Sequence, residues 1–141
     1  MDDALLAQIE ADHADLARLL AALSEEEAAR PGRLGKWSAR EIVAHLIGWE
    51  AKCVEVLTAL AEERTPERAP ETDPFNAVSV QDRQGASWAE LRAEFDATNR
   101  TLLDLARALP EAAWQRRRTS LWLRATTIEH YQEHRPHFAT P

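Results

Sequence analysis

Apolar residues recur with the period of a helix in four separate stretches of this chain. In residues 2–23, Leu5, Ile9, Leu16, Leu19, Leu20 and Leu23 fall on one stripe, with Asp2, Glu10, Asp15 and Arg18 turned outward. A second stretch begins where Ser38 and Glu41 stand at capping-box spacing and runs to about Leu60. Its stripe is Ile42, Leu46, Trp49, Cys53, Val56, Leu57 and Leu60. Ser87 and Glu90 form another capping box, which opens a third helix through Leu109. There Leu91, Phe95, Thr98, Leu102, Leu105 and Leu109 face inward, and Pro110 follows the end. The fourth helix spans about Ser120 to Arg135. Pro136 then removes a helix hydrogen bond, which predicts a kink or frayed end.

The connections read differently. Ser24 to Glu27 caps a short helical turn, and Pro31, Gly32 and Gly35 break the chain after it. Glu62 to Gly85 is a long irregular link, with Pro66, Pro70 and Pro74 excluding a regular helix over most of it. Asp73 to Asn76 is turn-like, and Phe75 is expected to pack onto the body. A link of this length suits a lid or the wall of a pocket. Glu111 to Trp114 makes another short turn, and the basic run Arg116 to Arg118 reads as a solvated loop. No segment alternates like a strand. The pattern predicts an all-α fold, a four-helix bundle forming one domain over residues 1–141. The long link leaves an up-down-down-up order and a simple antiparallel one both open.

Composition narrows the partners. The net charge of −7 favours solubility and argues against wrapping nucleic acid or lying on an anionic membrane. Met1 is followed by Asp2 and Asp3, unlike the basic and then apolar start of a signal peptide. No apolar run approaches the roughly 18 residues that a membrane span needs. Cys53 is the chain's single cysteine, so no internal disulfide forms, which fits a reducing cytoplasm. Cys53 itself reads as a small core residue.

The candidate chemistry lies in the histidines. His130 and His134 are one helical turn apart on a face flanked by Leu123, Thr127, Tyr131 and Phe138. That face points at a core, where an imidazole needs a partner for its nitrogens. A metal ion suits two histidines at this spacing; hydrogen bonds to neighbours are the plainer reading. His45 lies on the shoulder of the second helix's stripe, one turn from Ile42 and from Trp49. Three inward imidazoles from two helices make a ligand set with an open position, as in a catalytic site. Asp12 falls on the apolar stripe of the first helix, so it and Tyr131 are the candidates for groups that orient the ligands. Glu133, by helical phase, points away from His134. The parts played by His13 and His137 stay open.

Two stretches, Lys36 to Glu50 and Thr127 to His134, resemble the DinB/YfiT-like superfamily, and within it the ClbS/DfsB-like branch. The Phe75-Asn76 pair adds to the likeness. The resemblance implies a four-helix bundle that is often a homodimer. It also implies a divalent metal, nickel or zinc, on one histidine of the second helix and the paired histidines of the last. Those positions are His45, His130 and His134. Some such relatives are transferases or isomerases that use low-molecular-weight thiols; ClbS-like ones are self-resistance hydrolases that open a cyclopropane. Tyr131 and the Trp49-Glu50 pair look more like the latter.

Three functions follow as expectations. The first is a metal-dependent cytoplasmic enzyme, a hydrolase or thiol transferase, acting on a small electrophilic or thiol-linked substrate. The second is a metal-free hydrolase or small-molecule-sequestering resistance protein. Its general base would be His45 or His130, and its pocket would be lined by Trp49, Trp88 and Trp122. The third is a bundle that serves only as an interaction module.

Overall fold

Local capping sets the long helices. The computed structural model describes residues 1–139. Helix α1 (Asp3–Ala21) starts where Asp2 accepts the Leu5 backbone N–H at 2.9 Å. α2 (Glu25–Ala29) and α3 (Ala39–Ala61) each open on a complete capping box, Ser24 with Glu27 and Ser38 with Glu41. Then comes α4 (Thr72–Gln81), followed by α5 (Trp88–Ala108), whose box is Ser87 with Glu90.

α4 corrects the expectation of an irregular link throughout. Pro74 is its third residue, and the first turn of a helix has no intrahelical use for backbone N–H groups. A proline there is harmless, so a helix forms where three prolines suggested none. The irregular stretch shrinks to residues 62–71 and a turn at 82–87. Phe75 does pack onto the body, its ring 4.5 Å from that of Trp49.

The last stretch also differs. α6 (Glu111–Trp114) is followed by α7 (Arg117–Thr126), so Arg117 and Arg118 open a helix and do not form a loop. The expected single helix to Arg135 is broken at Thr127, with φ −121° and ψ −91°. Two consecutive hydroxyls explain it: Thr126 and Thr127 bond back to the carbonyls of Trp122 and Leu123. Such back-bonding bends helices. α8 (Ile128–His134) resumes beyond the break, and Pro136 closes it with a tighter 3-10 turn over Arg135–Phe138.

α1 packs on α5, α5 on α3 and α3 on α7, and α8, which continues α7 beyond the break, returns to α1; α7 and α8 together are the fourth member of the ring. No strand forms among the described residues; Leu34 and Trp37 make one isolated bridge. α3 is the central element, touching α2, α4, α5 and α7. It is buried on nearly every side, which is why it is apolar almost all round.

The core has two apolar halves. One gathers Leu5, Ile9, Leu57, Leu102 and Leu123; the other gathers Leu16, Leu20, Ile42, Leu46 and Phe95. Polar residues lie between them in sequence on four helices: Asp12 and His13 on α1, Glu50 on α3, Asn99 on α5 and Tyr131 on α8. Tyr131 donates its hydroxyl to Glu50 Oε1 at 2.6 Å, and Asn99 Nδ2 donates to the same oxygen at 3.3 Å. Burial pushes the Glu50 carboxyl up from 4.5 to about 8. These bonds tie α8 to α3 and α5 at the turn that carries His130.

Candidate metal centre

His45 enters the site from the second turn of α3, and His130 and His134 from successive turns of α8. One ligand nitrogen from each lies within 4.8 Å of the others. His45 and His130 are closest, Nε2 to Nε2 at 2.7 Å, and the His134 ring stands 5.1 Å from His45 and 4.9 Å from His130. His45 and His134 are buried and His130 half-buried.

The tautomer of His45 follows from a neighbour. The Trp49 indole nitrogen, which can only donate, meets Asn76 Oδ1 at 2.7 Å. The same oxygen lies 2.8 Å from His45 Nδ1. It must accept there too, so Nδ1 carries the proton and Nε2 presents its lone pair to the other two histidines. Asn76 belongs to α4, the helix inside the link, and α4 reaches α3 because Gly48 offers no side chain in its way.

Burial holds all three rings neutral. It lowers the pKa of His45; it lowers His130 to about 3 and His134 to about 4, with the neighbouring imidazoles adding to the effect. Neutral imidazoles are the form that ligates a metal. Imidazole nitrogens on one zinc ion, each about 2.0–2.1 Å away, stand about 3.3 Å apart, so small side-chain rotations bring these three into place. The Nδ1 atoms of His130 and His134 have no hydrogen-bond partner among the described residues, so neither ring is tied to another protein group through that atom. The donor set therefore fits a divalent ion.

Over the three rings opens a cavity of about 480 Å³. Trp37, Trp49, Trp122, Asn76 and Glu133 share its lining with the histidines. A space of that size admits a small organic molecule.

The family model of the DinB superfamily matches residues 8–137, almost the whole of this arrangement. The chain belongs to the DinB superfamily. No curated protein and no solved structure matches it. The DinB match runs from within α1 into the 3-10 turn and so includes all three candidate ligands.

Other expected site residues of this DinB chain are placed elsewhere. Asp12 accepts from Gln8 at 2.7 Å and lines a small crevice with Tyr131, away from the three-histidine cluster. Tyr131 engages Glu50 and Asn99, not a histidine nitrogen. Glu133, set aside on helical phase, lies beside the site, its Oε2 4.0 Å from His134 Nε2. His13 stacks on Phe95 at 4.4 Å and meets Asp96 at 2.9 Å, outside the cluster. His137 neighbours His134 at 5.7 Å between rings without joining the three. Trp88 is buried in the core and donates to the Leu23 carbonyl, so Trp37 takes the place expected for it in the pocket. Asn76 was signalled in the sequence only by its pairing with Phe75.

Proposed function

We propose that this DinB-superfamily chain is a metal-dependent enzyme in which His45, His130 and His134 hold a divalent ion, nickel or zinc. The observation that carries the reading is the convergence of three neutral imidazoles, from two separate elements, on the floor of one cavity. A bound divalent ion supplies Lewis acidity, which favours the deprotonated form of a water or small thiol at neutral pH. The chain's own residues do the rest. Asn76 fixes the His45 ring so that Nε2 faces the centre. Glu133, at the rim, is the nearest carboxylate and can accept a proton from an attacking group. The indoles exclude water around an electrophilic substrate. Elemental analysis of untagged protein tests it. One equivalent of metal is expected, and its loss in the His130→Ala, His134→Ala double variant; unchanged stoichiometry in that variant rejects the ligand set.

A second reading is a metal-free hydrolase or sequestering protein. The 2.7 Å contact between the Nε2 atoms of His45 and His130 favours it, because that pair shares one proton and needs no ion. Function that survives exhaustive chelation would select this reading.

A further inference from the structure

The wall of the cavity above the histidines is chemically one-sided. Trp37, Trp49 and Trp122 line it, all half-buried, so each keeps some ring surface toward the space. Among the described residues its one ionisable side chain apart from the histidines is Glu133, and no lysine or arginine takes part. An anion entering this space would meet the Glu133 carboxylate and no side-chain cation, and could pair only with the divalent ion proposed for the floor, at the position the attacking group takes. An organic cation would be opposed by the divalent ion proposed for the floor. A flat uncharged ring loses little on leaving water and gains stacking on the indoles.

One polar group is held ready. Asn76 Oδ1 is already used twice, by Trp49 and by His45. Those two bonds fix the orientation of the amide. Its Nδ2 has no partner among the described residues, and Asn76 lines the cavity beside His45. The free N–H group suits a carbonyl oxygen or ring nitrogen of a bound molecule.

We propose that this cavity takes an uncharged, flat aromatic substrate, stacked on the indoles and holding a carbonyl oxygen or ring nitrogen toward the Asn76 amide. The proposal rests on the histidine cluster being the reacting centre. It favours water over a carboxylate-bearing thiol as the attacking group, since such a thiol brings an anion the lining does not accommodate.

Two probes of nearly the same shape, one uncharged and one anionic, test this: naphthalene-2-carboxamide and naphthalene-2-carboxylate. Titration calorimetry on the full chain, both metal-stripped and zinc-loaded, reads their affinities. In stripped protein the carboxamide is expected to bind about tenfold or more tightly than the carboxylate. Trp122→Leu is expected to weaken the carboxamide about fivefold or more at unchanged zinc stoichiometry, and Trp37→Leu to do the same should the first variant fold poorly. Equal or tighter binding of the carboxylate in stripped protein overturns the proposal, as does absence of saturable carboxamide binding in both forms. Carboxamide binding without any zinc uptake leaves the proposal standing and removes the metal reading instead.

Discussion

Gly48 of α3 lies directly under Ser79 of α4: a Cβ at residue 48 would stand 2.7 Å from the serine Cβ. No flexible tip is available to yield, because the obstructing atom is next to the backbone. Gly48→Ala therefore pushes α4 away from α3, and α4 carries Asn76. The expected result is a loss of about 1–3 kcal/mol in stability. Zinc affinity should also fall about tenfold, through the released His45 ring. Denaturant unfolding and zinc titration on one preparation check both. A variant that loses neither shows that α4 docks without needing this gap.

Asn76 can be tested apart from packing. Asn76→Ala is expected to weaken zinc binding about 10- to 100-fold while shifting the melting temperature little, since the residue is half-buried at the cavity wall. Nitrogen NMR of the imidazoles should show His45 losing its single Nδ1–H tautomer. If the alanine variant keeps that tautomer, something other than the amide holds the ring.

Glu50 predicts a dependence on pH. An exposed carboxyl near 4.5 releases its proton when the chain unfolds, whereas the folded group keeps its proton up to about 8. Between those values the folded state binds more protons, so stability falls as pH rises. Glu50→Gln keeps an acceptor for Tyr131 and Asn99 and removes the ionisable group. It is expected to give no gain near pH 4, and a gain on the order of 2–4 kcal/mol near pH 8. Thermal melts of both proteins at several pH values decide it; a constant difference across the range would contradict a buried acid at this place.

The histidines act in the opposite direction. Below 6.5 the unfolded chain protonates His130 and His134, but the folded one does so only near about 3 and about 4. The unfolded state then binds more protons, and stability drops as pH falls from 6.5 toward 4, by about 1.4 kcal/mol per unit for each ring. His130→Gln should remove one ring's share of that slope, to which the lowered His45 also contributes. Added zinc should raise the melting temperature at pH 7 by mass action, and a chelator should reverse the rise. A melting temperature indifferent to both would be expected of a bundle that binds no ion.

Much of the frame could be read from sequence, because capping and helical spacing are local. Ser38 with Glu41 and Ser87 with Glu90 mark starts that the structure places to within a residue. His45, His130 and His134 were visible because imidazoles interrupt apolar stripes. The failures come from elsewhere. α4 is hidden in the sequence because Pro74 reads as a breaker, although it sits in a first turn. The split at Thr127 depends on two hydroxyls turning back on their own helix, which no apolar pattern records. Asp12 and Glu133 exchanged importance because a one-dimensional stripe gives direction around a helix, but not which neighbour arrives there. Asn76 needed the approach of α4 to α3, a long-range event.

The break at Thr127 leaves two of the three imidazoles on a helix of seven residues, ended on its far side by the 3-10 turn. This segment is fastened through the Tyr131 hydroxyl and the buried side chains of Ile128 and Tyr131, while the apolar halves of the bundle are built mainly from other helices. New donor atoms at positions 130 and 134 thus reshape the cavity floor without repacking the interior. Over evolutionary time such a fold can trade one reactivity for another while its architecture stays put.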